Sequence, residues 1–281
     1  MKKEIIVLLL CAALLLSGCG EQAPPPVETV DPYEGMVLVE SGYGTQMWVT
    51  EYPELPVNPF TAEDFQDGVY TGTDYLVRCG IDVSEHQGEI DWAAVREDDI
   101  QFAVIRAGYR GYGEAGSLRQ DACFTANMEG ARNNGLSIGI YFFSQATDAE
   151  EAVQEADYLL ELLAPYGPSA FALPIYYDWE AISQVTARTD GMDGESITAC
   201  AVAFCGRIAA AGYRAGIYAY RNLGYFSYDL RQLQDYSLWI AALGSYPDFY
   251  YAHEIWQYSI GGRVSGIGTD VDLDLLFVPA S

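Results

Sequence analysis

Two carboxyl groups near the middle of this 281-residue sequence have the type and spacing suited to acid catalysis. Asp178 and Glu180 close the run PIYYDWE at residues 174–180, where the apolar and aromatic residues favour a β-strand. Side chains alternate along a strand, so both carboxyl groups lie on one face, with their α-carbons roughly 6.5–7 Å apart. Carboxyl groups at about this separation can flank a glycosidic bond, and their mutual repulsion raises the pKa of the drier one. Because a D-x-E tripeptide is also common at exposed, non-catalytic positions, the surrounding elements decide its meaning.

Eight strand-like apolar segments follow residue 76 and would position this pair. They are residues 77–83, 102–107, 137–143, 173–177, 215–220, 238–242, 254–257 and 271–275. Segments long enough for crossover helices lie between the first six, at residues 92–96, 118–133, 148–163, 196–211 and 223–234. The later connections are too short for helices. The pattern predicts an α/β fold, a TIM-like (β/α)5β3 barrel over residues 77–281, with functional residues at the C-terminal ends of the strands.

Helix signals support two of these crossovers. In the third, Thr147 and Glu150 are spaced as a capping box. Its apolar stripe is predicted to comprise Val153, Ala156, Leu160 and Leu163. The stripe of the fourth helix is predicted to comprise Ile197, Ala201, Phe204 and Ile208, with Gly212 ending the helix.

Polar and aromatic residues cluster at or near the predicted strand ends. The set comprises Asp82, Arg106, Tyr141, Asp178, Glu180, Tyr218, Trp256 and Asp272. Carboxyl groups interleaved with aromatic rings are typical of pockets that bind sugar rings. No metal or cofactor is expected, because His86 and His253 are far apart in the sequence and lack a metal-ligand pattern.

A series of motifs occurs in the order found in a known enzyme family. They are RCGIDVSEHQGEIDW, FAVIRAGYR, GIYFFSQA, PIYYDWE, GIYAYRN, LWIAAL, EIWQYS and GIGTDVDLDLLF. Together they resemble glycoside hydrolase family 25, the Chalaropsis-type lysozymes, over about residues 77–279. The resemblance implies a barrel of this kind and hydrolysis of the β-1,4 bond between N-acetylmuramic acid and N-acetylglucosamine. Peptidoglycan glycan strands are then the expected partner.

The resemblance also implies roles for individual acids. Glu180 matches the general acid, and Asp178 matches the carboxylate that orients and polarises the substrate's N-acetyl group. Asp82 matches the acid of the GIDVS motif, and Asp272 matches the acid of the closing VDxN motif. Carboxyl groups near 7 Å apart would formally indicate inversion, whereas the family resembles retaining enzymes that use the acetamido oxygen as nucleophile.

Four further residues are predicted to bind substrate. Tyr141 and Trp256 match aromatic residues that line the family's groove, and Tyr218 and Arg106 complete the set. Arg106 could instead serve the structure by pairing with an acid of the barrel.

The sequence departs from the family pattern at a few positions. Asp274 stands where the VDxN motif has Asn, and Phe142 stands where a histidine is frequent. Ala242 and Leu243 replace the end of the usual LWIARY motif. Because the acids persist, we expect these changes to affect affinity or glycan preference and not hydrolysis itself.

The N-terminal segment has the features of a lipoprotein leader. Lys2 and Lys3 precede an apolar run at residues 5–16, and the sequence LSGC that ends at Cys19 resembles a bacterial lipobox. We therefore expect a signal peptide at residues 1–18 and a tether, lipidated at Cys19, at residues 19–32. Residues 33–76 would form an extension with a hairpin across Gly42 and Gly44. The protein would be extracytoplasmic and anchored to the bacterial cell membrane.

Charge and cysteine content limit the remaining classes of function. The formal net charge is −26, which argues against nucleic acid as a partner. We expect a monomer. Cys200 and Cys205 are spaced too far apart on one helix to pair, whereas bonds to Cys79 or Cys123 stay open. Two alternatives to a lysozyme remain: a non-catalytic cell-wall-binding lipoprotein, and a hydrolase of another N-acetylhexosamine polymer.

Overall fold

A computed structural model of the protein describes residues 31–42, 44–66, 68–183 and 185–280. The predicted signal peptide, the lipidation site Cys19 and most of the tether lie outside these residues. Gly35–Ser281 forms one compact unit. Among the helices described, none combines the length and apolar character needed to span a bilayer.

The extension before the barrel contains two short antiparallel hairpins. Their strands are β1 (Met36–Glu40) with β2 (Gln46–Thr50), and β3 (Phe65–Gln66) with β4 (Val69–Tyr70). Gly42 and Gly44 have φ of 84° and 72°, which confirms the predicted hairpin turn between β1 and β2. A 3-10 helix at Ala62–Asp64 leads directly into β3.

The extension is joined to the barrel by backbone and side-chain contacts. Asn58 Nδ2 donates to Phe249 O at 2.9 Å, and Ala252 N donates to Pro56 O at 2.9 Å. The Phe60 ring packs against the Phe277 ring of the last strand, with 4.3 Å between the ring centroids. The extension therefore shares the hydrophobic core of the barrel.

Eight strands close into the barrel, and a short strand, β7 (Leu118–Gln120), pairs with one of them. The barrel strands are β5 (Tyr75–Val83), β6 (Phe102–Arg110), β8 (Ser137–Ser144), β9 (Ile175–Trp179), β10 (Ala215–Tyr220), β11 (Ser237–Ala241), β12 (Ile255–Gly262) and β13 (Val271–Pro279). Neighbouring strands from β5 to β12 are parallel, and β13 closes the sheet antiparallel to both β12 and β5. The predicted barrel is confirmed, with a reversed last strand.

In the part of the chain that the structure describes, five α-helices cover the outside of the sheet. They are α1 (Trp92–Glu97), α2 (Phe124–Asn133), α3 (Ala149–Leu163), α4 (Gly194–Ala210) and α5 (Arg221–Phe226). Two predicted helices were too long. Residues 118–133 begin with β7, and residues 223–234 divide between α5 and a 3-10 helix at Leu230–Leu233.

The apolar stripe and C-terminal glycine predicted for α4 are confirmed, whereas the cap and the buried face of α3 differ from the prediction. The whole apolar stripe predicted for α4 is buried, and Gly212 has a φ of 88° just after the helix. The N-cap of α3 is Asp148, whose carboxylate accepts from Glu151 N at 2.9 Å, so the predicted capping box was one residue early. Ala152 and Leu159 are buried on α3 in place of Val153 and Leu160, which are half-buried.

Aromatic rings fill the barrel interior below its C-terminal end. Phe102, Tyr176 and Trp239 are buried there. A β-carbon added to Gly80 would lie 2.3 Å from the Phe102 ring, and one added to Gly216 would lie 2.5 Å from the Tyr176 ring. The two glycines therefore make room for large rings, and these rings form the floor of the space above them.

Replacing Phe60 with alanine tests whether the extension stabilises the barrel. We expect Phe60→Ala to lower the free energy of unfolding by about 3–5 kcal/mol, because it leaves a cavity among aromatic rings. The matched change Leu76→Ala, at a side chain that is 61% exposed, should alter it by less than about 0.5 kcal/mol. Urea denaturation followed by tryptophan fluorescence measures both. Equal midpoints for Phe60→Ala and the wild type would contradict the expectation.

Candidate active site

A cavity of about 750 Å³ opens at the C-terminal end of the parallel strands. Seven of the eight residues predicted for the site line it, namely Asp82, Arg106, Tyr141, Asp178, Glu180, Tyr218 and Asp272. Trp239 and Gln257, which were not among the predicted site residues, line it too. The structure thus brings residues from all eight barrel strands to one space.

Strand register explains how distant residues meet. Asp82, near the end of β5, pairs with Asp272, near the start of β13. Because β13 runs antiparallel to β5, the beginning of this last strand lies at the C-terminal end of the parallel ones. Asp178 of β9 pairs with Tyr218 of β10, and both side chains point into the barrel.

Trp256 does not face the cavity, contrary to prediction. It is completely buried on the helix side of β12, where its Nε1 donates to Ala242 O at 2.7 Å and its ring packs against Phe65. Because side chains alternate along a strand, the next residue, Gln257, faces the cavity instead. Trp239 from β11 supplies the indole ring that Trp256 was expected to supply.

Asp178 and Glu180 lie side by side at the end of β9. The pKa of Glu180 is raised to about 7, first by burial and then by the negative charge of Asp272. Asp178 is only 4% exposed, and burial followed by the charge of Glu180 raises its pKa well above the usual range. Among the described residues, none hydrogen-bonds to Asp178 Oδ1. Within the described part of the chain, no donor therefore stabilises the ionised form at this oxygen.

A buried glutamine fixes the backbone at Glu180. Gln145 Nε2 donates to Glu180 O and to Ser144 O, both at 2.9 Å. Gln145 Oε1 in turn accepts from Thr189 Oγ1 at 2.8 Å. Gln145 lies in the motif GIYFFSQA, but its role was not predicted because its partners come from distant segments. The glutamine ties β8 to the loop after β9 and limits the movement of Glu180.

One wall of the cavity is held by buried ion pairs. Arg110 Nε donates to Glu155 Oε1 at 2.7 Å, and its Nη1 donates to Gly116 O at 3.0 Å. Arg188 forms two hydrogen bonds with the Glu151 carboxylate, at 2.7 and 2.8 Å. The Arg110 contacts attach the turn between β6 and β7, which lines the cavity, to α3, and the Arg188 contacts attach the loop after β9 to the same helix.

Arg106 lines the cavity, and its guanidinium group already forms ion pairs with two acids. Its Nε donates to Asp121 Oδ2 at 2.7 Å, and its Nη2 donates to Glu85 Oε1 at 3.2 Å. This confirms the expectation that Arg106 could pair with an acid, and its guanidinium lines the cavity as well. Its positive charge lowers the pKa of Asp178, but the effects of burial and of the Glu180 charge, which raise that pKa, are larger.

A hydrogen-bond chain connects the remaining acids. Gln257 Nε2 donates to Asp82 Oδ2 at 2.8 Å and to Asp272 Oδ2 at 3.4 Å, and Tyr218 Oη donates to Gln257 Oε1 at 3.1 Å. Burial raises the pKa of Asp272 to about 6. Burial and the charges of Asp274 and Asp272 raise the pKa of Asp82 well above the usual range.

Other residues of interest lie elsewhere or have no site around them. His86 lines the cavity, whereas His253 lies in a separate apolar cavity of about 340 Å³. In the described ranges, no three His, Cys, Asp or Glu side chains are grouped as metal ligands would be. Four cysteines fall within the described residues, and all are free: Cys79, Cys123, Cys200 and Cys205. Phe142 packs on the helix side against Phe204, so the family's histidine position does not face the cavity here.

Comparison with known sequences identifies relatives of the barrel. The sequence model of the family described as glycosyl hydrolases family 25 matches residues 81–267. The autolytic lysozyme of Clostridium acetobutylicum is 28% identical over 197 residues, which cover 69% of this chain and 54% of that protein. Lysozyme M1 of Streptomyces globisporus is 26% identical over 262 residues, covering 89% and 80%. The chain thus spans about half the length of the Clostridium protein.

Solved structures have the same barrel. A bacterial lysozyme from Streptomyces coelicolor superimposes with a TM-score of 0.56 at 25% identity, covering 70% of this chain and 90% of that one. The modular autolysin LytC from Streptococcus pneumoniae, solved with a synthetic peptidoglycan ligand, gives a TM-score of 0.64 at 22% identity. That match covers 87% of this chain and 57% of LytC, and at this identity it supports the fold alone.

Proposed function

This chain belongs to the glycosyl hydrolases of family 25 and is a glycoside hydrolase, and from that premise we propose that it is a lysozyme. Its proposed reaction is hydrolysis of the β-1,4 bond between N-acetylmuramic acid and N-acetylglucosamine in peptidoglycan. The observation that carries the proposal is the carboxyl pair Asp178 and Glu180, which lines an acidic cavity of about 750 Å³. Asp178 is buried and Glu180 is half-buried. Similarity to lysozymes of Clostridium and Streptomyces supports it.

Glu180 is the proposed general acid. Burial raises its pKa to about 7, so a large share of the carboxyl groups keeps a proton at neutral pH. A carboxylic acid in that state can protonate the leaving oxygen of the glycosidic bond. Gln145 holds the backbone at this residue, which supports a fixed approach of the proton to the bond.

Asp178 is proposed to orient the substrate's N-acetyl group. Its Oδ1 has no donor among the described residues, and the amide N–H of an acetamido group would provide one. A hydrogen bond to the charged form favours ionisation. Substrate binding would therefore ionise Asp178 and leave the proton of the pair on Glu180, where it is needed.

The rest of the cavity is proposed to position the glycan. Tyr141, Tyr218 and Trp239 present aromatic surface and polar edges suited to sugar rings. Asp82 and Asp272, held by Gln257, provide carboxyl oxygens for hydroxyl or amide groups of the substrate.

Replacing Glu180 with glutamine tests the reaction and the acid together. The purified protein should release muramic acid reducing ends from peptidoglycan, identified by mass spectrometry. Glu180→Gln should lower the rate by at least about 10²-fold while binding persists, because the amide cannot donate an acidic proton. Glu161→Gln, an exposed position on α3, should retain the wild-type rate.

The same assay decides between the proposal and its alternatives. N-acetylglucosamine ends released from chitin oligomers, but not from peptidoglycan, would indicate a hydrolase of another N-acetylhexosamine polymer. Binding to peptidoglycan without release would indicate a cell-wall-binding protein. A wild-type rate in Glu180→Gln would reject Glu180 as the acid.

The pH profile should report the ionisation of Glu180. The acid works in its protonated form, so kcat/KM should be high below a pH of about 7 and fall as the pH rises through that value. Asp272→Asn removes a negative charge that raises this pKa, so its fall should occur at lower pH. Asp270→Asn changes an exposed residue two positions away and should not alter the pH at which kcat/KM falls. An unshifted profile in Asp272→Asn would contradict the coupling.

We also propose that the protein is anchored outside the cytoplasm by a lipid on Cys19. A diacylglycerol thioether would carry the two acyl chains that stable anchoring requires. A tether of about a dozen residues reaches only some tens of ångströms, at roughly 3.1 Å per residue when extended. The substrate in reach would then be peptidoglycan close to the membrane.

Cell fractionation tests the anchor. Cys19→Ala should move the protein from the membrane fraction to the soluble or secreted fraction. Cys11→Ala removes a thiol from the apolar run of the leader without touching the lipobox, and its product should stay with the membrane. Membrane retention of Cys19→Ala equal to that of the wild type would reject lipidation at this residue.

A further inference from the structure

Asp274 is a fully buried carboxyl group just below the cavity, on the inward face of β13. It lies two residues after Asp272 and pairs in register with Gly80, so it sits one layer deeper than the pair formed by Asp272 and Asp82. Trp239 Nε1 donates to Asp274 Oδ1 at 2.8 Å. The position is the one at which this sequence differs from the family's VDxN motif.

The second oxygen of Asp274 faces another carboxyl group. Within the described part of the chain, no N–H or hydroxyl donor reaches Asp274 Oδ2, which is buried. Asp82 lies on β5 two residues after Gly80, the register partner of Asp274, so the two side chains share the inward face of neighbouring strands, and their carboxyl groups are hydrogen-bond partners. Two ionised carboxylates cannot form a hydrogen bond, so this contact requires a proton on one of them.

The surrounding groups offer no cation to balance two charges. Asp274 is faced by Asp82 from β5, by Tyr176 from β9 and by Asp272 from its own strand. Its register partner on β12 is Gln257, whereas the nearby Tyr258 packs against Trp256 on the helix side of that strand. From β11, the facing group is the neutral indole of Trp239.

The polar groups next to Asp82 already have hydrogen-bond or ion-pair partners. The amide nitrogen of Gln257 serves both Asp82 and Asp272, and Arg106 is paired with Asp121 and Glu85. Two adjacent, fully charged carboxylates would thus be buried without compensation, which is strongly unfavourable.

We propose that Asp274 is a positioning residue that shares one proton with Asp82, so that the two carboxyl groups together carry a single negative charge at neutral pH. This role depends on the proposed function in one respect: it assumes that Asp82 contacts the substrate. Burial raises the pKa of Asp274 to about 7 and that of Asp82 well above its usual range, as expected for a pair that loses its protons in two separate steps.

The shared proton would fix the orientation of Asp82 toward the cavity. One oxygen of Asp82 accepts from Gln257, whose own oxygen accepts from the Tyr218 hydroxyl on the cavity wall. Asp274 is anchored at the other end by Trp239, which also lines the cavity. A continuous chain of hydrogen bonds therefore runs from Trp239 through the two carboxyl groups to Tyr218. Loss of the proton would break it in the middle.

The variant Asp274→Asn replaces the shared proton with an amide N–H. The asparagine oxygen can still accept from Trp239, while its nitrogen donates to Asp82. Asp82 should then ionise at a lower pH than in the wild type. Carbon-13 NMR of protein labelled at the aspartate carboxyl carbons, titrated from pH 4 to pH 8, follows this directly. The Asp82 signal is assigned by its loss in Asp82→Asn.

The expected result is a downward shift of the Asp82 titration by at least one pH unit in Asp274→Asn. Asp270→Asn removes a carboxylate from an exposed site on the same segment and should leave that titration unchanged. An Asp82 signal that titrates identically in the wild type and Asp274→Asn overturns the proposal. If Asp274→Asn does not fold, the reciprocal Asp82→Asn should lower the titration of Asp274, and an unchanged Asp274 signal there overturns it equally.

Stability gives a second readout that a merely structural role would not move. The folded state keeps the shared proton above the ordinary aspartate pKa of 3.8, whereas the unfolded chain releases it, so wild-type stability falls as the pH rises from about 4 to about 7. Relative to Asp274→Asn, the wild-type unfolding constant should rise about tenfold per pH unit within this window. Parallel pH dependence of the two proteins would contradict the shared proton.

These readouts stand apart from the test of the proposed function. Without muramic acid release by the wild type, the lysozyme proposal fails, yet the carboxyl titrations still decide whether the proton is shared. With release observed and the Asp82 titration unshifted, the lysozyme proposal holds and the role of Asp274 is rejected.

Discussion

The central constraint on this structure is the burial of several carboxyl groups in a space with little positive charge to balance them. Asp82, Asp178, Glu180, Asp272 and Asp274 converge at one end of the barrel, and the nearby Arg106 is already engaged by Asp121 and Glu85. Desolvation disfavours the ionised form of each acid, so their pKa values are raised and protons are retained. A site that stores protons near neutral pH is suited to general acid chemistry.

The barrel makes this arrangement possible because its interior is filled below and open above. Large rings occupy the lower layers, with glycines opposite them, and deny water access to the acids from underneath. Above, the inward positions of seven strands carry polar side chains that would be costly to bury without hydrogen bonds. Gln145 and Gln257 provide these bonds at the backbone of Glu180 and at Asp82. Each glutamine joins segments that are distant in the sequence, which makes the site depend on closure of the whole barrel.

Local patterns predicted much of this fold, and their failures have physical reasons. Hydrophobic runs located all eight barrel strands because buried strands are nearly continuous apolar segments. They could not indicate that β13 is antiparallel, since chain direction depends on the length and path of the preceding connection. Motif matching predicted that Trp256 lines the cavity. In the structure, side chains alternate along β12, so Gln257 faces the cavity and Trp256 faces away from it. The partners of Arg106, Asp121 and Glu85, were missed because ion pairing depends on how the loops after the strands fold back.

The acidity of the cavity also bears on how an anionic polymer could bind. With a net charge of −26, the protein gains no long-range attraction for peptidoglycan, which is itself anionic. Recognition would then depend on contacts made inside the cleft, where Tyr141, Tyr218 and Trp239 provide aromatic surface. Protons held by the acids reduce repulsion there and convert some carboxyl oxygens into hydrogen-bond donors for sugar hydroxyls. The same burial that favours a protonated Glu180 would thus let a strongly acidic protein accept an acidic substrate.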